Sequence, residues 1–314
     1  MASELHPEAQ ALLDVMAEED MPPWHTLTPE QARDLHRDLN VPGPEYEPPA
    51  VEAVTETVVR GSGHDIGVRA YESAEDGPGA TIVWAHGGGH VLGDLETEDK
   101  VARTLANATG CTVVSVDYRL APEHPFPAAL EDVLDVTAWA NEHADDVGGD
   151  PDRVVVGGSS AGGGLAAGAT LVARDQGGPD IDYQVLAYPA VNALDFFPSM
   201  GENDGIFLSA EDGAWFQDQY RQSEFDAANY YAYPLHAPDL SGLPDATVVT
   251  AGFDPLRDEG VAYAEELAEA GAEVAHHHYD DMIHAFMDML APEPWERATE
   301  AHEQVGADLE AYFG

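Results

Sequence analysis

Arg153-Val154-Val155-Val156-Gly157-Gly158-Ser159-Ser160-Ala161-Gly162 is a β-type apolar run that ends in a Gly-x-Ser-x-Gly turn and enters a small-residue helical stretch, Ala161 to about Ala173. A serine in that strand–turn–helix setting is the arrangement of a nucleophile elbow. The turn must be sharp enough to aim the hydroxyl outward, so strand and helix come very close. Gly158 and Gly162 flank Ser160 with no Cβ to obstruct that approach. The helix N-terminus below the serine favours developing negative charge. A plain Gly-Ser turn explains the same residues. So does a loose dinucleotide pattern over Gly162-Gly163-Gly164-Leu165-Ala166-Ala167, but its first glycine lies past the βα turn where that fingerprint needs it. No Gly-Lys-Ser/Thr is present, which excludes a P-loop.

Outward from this stretch, short β-rich runs alternate with helical segments. The runs are Thr81–Ala85, Thr112–Val116, Arg153–Val156, Tyr183–Ala187, Ala246–Thr250 and Val274–Tyr279. Helical segments fall at Lys100–Thr109, Ala128–His143 and Glu259–Ala270. Near-continuous apolar strands alternating with helices predict an α/β fold with a mostly parallel central sheet flanked by helices. Residues 1–40 read as two short helices broken at Met21-Pro22-Pro23, with Leu5, Ala9, Leu12, Leu13 and Met16 on one face and Thr28 capping the second. A Pro-rich linker runs from Val41 to Ala50. Residues 193–229 interrupt the alternation with an aromatic excursion that is expected to pack with the N-terminal helices as a lid.

Three further groups fall at strand ends. His86-Gly87-Gly88-Gly89 closes the run Thr81–Ala85, and successive glycines let main-chain N–H groups converge on a ligand oxygen. His86 and His90 have zinc-like spacing, but three glycines make a poor helix and no Glu accompanies them. Asp254 follows Ala246–Thr250, where a helix cap is the plain alternative. His284 follows Val274–Tyr279. His276, His277 and His278 read as a strand with alternating faces, with a metal site using Asp280 or Asp281 as the competing reading. The chain order is Ser160, Asp254, His284, which is the Ser…Asp…His order of α/β-hydrolases.

The 60 acidic and 12 basic residues give a net charge of −48. Nucleic-acid and anionic-membrane partners are therefore excluded, since both need clustered Lys and Arg. Lys100 is the only lysine, and the acids spread from Glu4 to Glu310 rather than forming a tail. Such a shell repels itself in dilute buffer. In about 1 M salt the screening length falls to about 3 Å. The composition thus predicts a protein that works in molar salt, in the cytoplasm of a halophilic cell. The first twenty residues carry acids where a secretory signal needs a basic start and an apolar run. Cys111 is the only cysteine, so no intrachain disulfide is expected.

The sequence resembles the hormone-sensitive-lipase-like branch of microbial esterases, which have an α/β-hydrolase fold with a helical cap. The resemblance is carried by His86–Gly89 with Gly93-Asp94-Leu95-Glu96-Thr97, by Asp117-Tyr118-Arg119-Leu120-Ala121-Pro122-Glu123-His124-Pro125-Phe126-Pro127-Ala128, and by the Ser160 elbow. Tyr188-Pro189, Leu240-Ser241-Gly242-Leu243-Pro244, Asp254-Pro255-Leu256-Arg257-Asp258-Glu259-Gly260 and Met282–Phe286 complete it. It implies Ser160 as nucleophile, His284 as base, Asp254 as its orienting acid, and oxyanion donors from the N–H groups of Gly88, Gly89 and Ala161. It also implies cap segments at residues 1–45 and 193–229 around a core at 46–192 and 230–314. His90, Phe207, Trp215 and Phe216 are the expected pocket residues. The implied activity is hydrolysis of short- to medium-chain acyl esters, with amide hydrolysis or deacetylation, and a non-catalytic receptor on the same fold, as alternatives. No cofactor or metal is implied. The expected partners are a small acyl ester and, as one option, a second copy in a homodimer. Ser159 stands where the family commonly has an acid, and Gly164 where it commonly has Asn.

Overall fold

The computed structural model describes residues 4–75, 77 and 79–314. Its elements run α1 Pro7–Glu18, α2 Pro29–Asn40, β1 Ala53–Arg60, β2 Asp65–Glu72, β3 Thr81–Ala85, α3 Leu95–Thr109, β4 Thr112–Asp117, α4 Ala128–His143, β5 Val154–Ser159 and α5 Ala161–Gln176. They continue with β6 Tyr183–Ala187, α6 Pro198–Glu202, α7 Ala210–Tyr220, β7 Asp245–Phe253, α8 Arg257–Glu269, β8 Val274–Ile283 and α9 Glu296–Phe313. Every expected strand and helix is present within a few residues.

The strands form one sheet of order β1-β2-β4-β3-β5-β6-β7-β8. β3 to β8 are parallel, and β2 pairs antiparallel with both β1 and β4. The antiparallel pair was not anticipated, because β1 is a mostly exposed edge strand with no continuous apolar run. The C-terminal helix α9 was also missed, although Ala298, Ala301, His302, Val305 and Leu309 mark its buried face.

Alternate side chains on each parallel strand serve opposite layers. On β3, Val83 and Ala85 pack with residues of α4, α5 and α8, while Ile82 and Trp84 pack with residues of α3 and α9. Both faces are thus covered, which explains the continuous apolar runs. The polar frame of the long motif after β4 is structural: fully buried Asp132 accepts from the Arg119 backbone N–H and from its guanidinium.

The N-terminal helices meet the 193–229 segment over the open end of the sheet. The His25 backbone N–H donates to Asp212 on α7 at 2.9 Å. Arg33 on α2 donates to the carbonyls of Val91 and Ala121 at 2.8 and 2.7 Å, which holds α2 over the loops after β3 and β4. Thr28 caps α2, as its sequence predicts, and Gln31 answers it reciprocally in a capping box.

Candidate active site

Ser160 sits between β5 and α5 with φ 53° and ψ −116°, a conformation that costs a non-glycine residue energy and is held here by its surroundings. Its N–H donates to Ala187 O, and its carbonyl accepts from Gly164 N and Ala190 N. A Cβ on Gly162 would lie 2.0 Å from Ala85 O, so only glycine permits the helix to start this close to β3. Gly164 is set by the same constraint, since a Cβ there would lie 2.2 Å from Ala190 O. The departure from Asn at this position therefore follows from how tightly α5 packs on the loop after β6. The glycines of the competing dinucleotide pattern lie inside α5 and are buried.

Three distant segments converge on the serine oxygen. His284 Nε2 lies 2.9 Å from Ser160 Oγ, and His284 Nδ1 lies 2.8 Å from Asp254 Oδ2. Because a carboxylate only accepts, Nδ1 carries the proton, and Nε2 accepts from the Ser160 hydroxyl. Asp254 is fully buried and His284 nearly so. Asp254 is not the helix cap: the cap of α8 is Leu256, with no side-chain cap bond, and Asp254 Oδ1 instead accepts from Leu256 N at 2.7 Å in the turn that leads into α8. One carboxylate therefore fixes the turn before α8 with one oxygen and orients the imidazole with the other.

The N–H groups of Gly88, Gly89 and Ala161 donate to no atom of the described residues. Ala161 is the first residue of α5, where an N–H has no intrahelical acceptor. Gly88 and Gly89 have φ 104° and 61°, and a Cβ on Gly89 would lie 2.2 Å from the Phe216 ring. His86 braces this loop. Its Nδ1 donates to Gly87 O at 2.7 Å and its ring stacks on Tyr118 at 4.2 Å. Burial pushes the His86 imidazole down to about 4, so it is neutral at pH 7.

Two cavities meet at Ser160. One, of about 250 Å³, includes His284, Gly88 and Phe207 and is roofed by Leu12, Met16 and Trp24 of the N-terminal segment. The other, of about 220 Å³, includes His90, Ala161, Leu256 and Glu259. Phe216 separates them and lines both. The pocket expectation fails at Trp215, which packs with Trp24, Leu27, Val91 and Leu92 in the cap and lines neither cavity. Adjacent positions on α7 point about 100° apart, so Phe216 and Trp215 cannot both face the serine. His90 stacks on Tyr220 at 3.6 Å and burial pushes it down to about 3. His276 and His278 both contact Thr250 Oγ1, and His277 contacts Asp308, so the histidine tract alternates between two faces of β8. No group of three or more ligating side chains suited to a metal occurs among the described residues.

Sequence reasoning missed the roof residues Leu12 and Met16 as pocket walls, having read them as helix packing. It also missed the buried acids Glu98 and Glu259 and the half-buried Asp288 at the cavity. In a chain with 60 acidic residues, nothing local marks which ones are buried. Glu259 Oε1 accepts from Val191 N and Asn192 N, and burial pushes its carboxyl up to about 8. The native state therefore holds this proton more tightly than the unfolded chain, so stability falls as pH rises from about 4.5 to about 8. Buried histidines such as His86 act oppositely, but only below their ordinary value of 6.5. Stability is accordingly expected to fall from about pH 6.5 to about pH 8, by about 1–2 kcal/mol for each such carboxyl. Glu259→Gln should remove its share of that slope, and burial raises Glu98 in the same direction. Urea unfolding of both proteins at the two pH values measures it, and an unchanged slope refutes the assignment.

A serine, an imidazole and a carboxylate in series beside free main-chain N–H groups, at the C-terminal edge of a mostly parallel sheet, define a serine-hydrolase site on an α/β-hydrolase frame. The model for the alpha/beta hydrolase fold family matches residues 82–288. The carboxylic ester hydrolase LipN of Mycobacterium tuberculosis is 42% identical over 257 residues, covering 80% of this chain and 67% of that protein. The arylesterase of Saccharolobus solfataricus is 39% identical over 226 residues, covering 71% and 74%. Among solved structures, a hyperthermophilic esterase from the archaeon Pyrobaculum calidifontis superposes with a TM-score of 0.91 at 38% identity, covering 98% of this chain and 99% of the other. An ester hydrolase from the Lake Arreo metagenome, complexed with a bipyridine phosphonate derivative, gives 0.92 at 37% identity and 99% coverage of each. The chain belongs to the alpha/beta hydrolase fold family.

Proposed function

We propose that this chain, a carboxylic ester hydrolase, cleaves short- to medium-chain acyl esters through an acyl group carried on Ser160, and that it is adapted to molar salt. The observation that carries the mechanism is the Ser160–His284–Asp254 series, with both contacts under 3 Å. His284 Nε2 takes the hydroxyl proton as Ser160 Oγ attacks the carbonyl carbon. Asp254 keeps the proton on Nδ1 and stabilises the imidazolium. The tetrahedral oxyanion is stabilised by the N–H groups of Gly88, Gly89 and Ala161, each worth about 2.7–4 kcal/mol in a site of this kind. His284 then returns the proton to the leaving alkoxide, and water releases the acid by the same steps. Because the leaving oxygen must reach Nε2, the alcohol part lies in the cavity that includes His284. The acyl chain takes the smaller cavity beside Ala161 and Leu256.

Salt adaptation rests on the surface. Among the described residues only Glu98, Asp132, Asp212, Asp254 and Glu259 are buried acids. Most of the other acids form the shell. All 11 arginines (12 basic residues less Lys100) sit within ion-pair distance of a carboxylate. The repulsion left over is long-ranged and therefore sensitive to screening. The test is a panel of aryl esters of increasing acyl length, assayed from dilute buffer to molar KCl with thermal unfolding in parallel. Activity should peak at short to medium acyl chains, and both activity and unfolding temperature should rise with KCl. Full stability without salt overturns the adaptation. Failure of a serine-reactive phosphonate to label the protein overturns the acyl mechanism.

A further inference from the structure

The larger cavity is not apolar throughout. At its floor, next to His284, it is lined by His86, Glu98 and Asp288. Each is held on one side by a partner that fixes which atom is left over. Trp84 Nε1 donates to Glu98 Oε1 at 2.7 Å, Tyr188 OH donates to Asp288 Oδ1 at 3.0 Å, and His86 Nδ1 donates to Gly87 O. No described residue donates to Glu98 Oε2 or Asp288 Oδ2. His86 is 1% exposed and its Nε2 has no partner. With the proton on Nδ1, that nitrogen is an acceptor. His86 Nε2 is fully enclosed, so the polar atoms left facing the cavity are Asp288 Oδ2, an acceptor, and the free oxygen of the Glu98 carboxyl, under a roof of Leu12, Met16 and Trp24. A buried polar atom without a partner is costly, and a purely alkyl occupant would leave both carboxyls in that state.

We infer that the larger cavity selects esters whose alcohol part carries a second hydroxyl, the glycol-type monoesters, with that hydroxyl donating to Asp288 Oδ2 and accepting from the Glu98 carboxyl. Charge favours a hydroxyl over an ammonium group. Burial and the neighbouring Asp288 push the Glu98 carboxyl up, toward its protonated form, and Lys100 stands near both carboxyls to balance Asp288. The selection rests on the ester-hydrolase reading above and adds to it the nature of the alcohol.

The test compares hydroxyalkyl and alkyl butyrates matched in number of heavy atoms, in the wild type, Glu98→Leu and Glu98→Gln. In the wild type, kcat/KM should favour the hydroxyalkyl ester about tenfold, the scale of one buried hydrogen bond. In Glu98→Leu that ratio should fall to about one or below. Glu98→Gln, which retains an oxygen for Trp84, should lie between. Phosphonate labelling counts the folded sites in each variant. A wild-type ratio near one, or a ratio that Glu98→Leu leaves unchanged, overturns the inference while leaving ester hydrolysis intact. If neither ester is cleaved, the underlying reading fails instead.

Discussion

Ser160→Ala is expected to lower kcat by a factor on the order of 10⁴–10⁶ while the protein folds normally. Removing Oγ deletes the only atom that His284 Nε2 contacts at 2.9 Å, so no covalent acyl intermediate can form. What remains is the alignment of substrate against the N–H groups of Gly88, Gly89 and Ala161, which supports slow attack by water. The fold should be unaffected, because Ser160 is fixed through its backbone: its N–H to Ala187 O, its carbonyl to Gly164 and Ala190. The smaller side chain also relieves nothing that holds the elbow, since the positive φ is imposed by β5 and α5. Burst-phase and steady-state kinetics with an aryl ester, beside a thermal melt, check both parts. Activity within about tenfold of wild type would remove Ser160 from the mechanism.

Gly162→Ala should be the most damaging single methyl group that can be added near the site. The new Cβ would fall 2.0 Å from Ala85 O and 2.5 Å from His86 O, both main-chain atoms. Neither can rotate away, so α5 must move off β3 or the loop after β3 must shift. The expected loss is about 3 kcal/mol or more. Displacement of about 1 Å between Ser160 and the Gly88–Gly89 N–H groups should also cost roughly 100-fold in activity of whatever stays folded. Gly213→Ala in α7 is the control. Nothing lies within 4 Å of its added Cβ, and a helical Gly-to-Ala change stabilises by up to about 1 kcal/mol. Chemical denaturation of the three proteins in molar salt decides it. Equal stability of the Gly162 variant and the wild type would mean that α5 does not pack on β3 as described.

Much of this architecture was legible because its signals are local. A valine run, a glycine–serine turn and a small-residue stretch announce β5, the elbow and α5, since each reflects backbone sterics within a few residues. Asp254 and His284 were legible by chain order and strand ends. By contrast, β1 is solvated on most of its length, and an exposed edge strand leaves only a faint pattern. Trp215 and Phe216 are adjacent aromatics, and only the rotation of α7 about its axis sends one into the cap and the other to the serine. Glu98 and Asp288 look in sequence like any other acids in an acidic protein.

The amino-acid sequence by itself determined the alternation of strands and helices, the sharp turn at Ser160, the supply of free N–H groups and the anionic surface, because propensity, glycine content and charge act without regard to what lies far along the chain. Only the tertiary structure decided that residues 124 and 30 positions apart close into one hydrogen-bonded series. It alone placed α1 over the cavity and turned two carboxyls toward its floor. Those outcomes depend on sheet order and helix rotation, through which contacts between remote residues are fixed by the packing of the whole rather than by any segment's own preference.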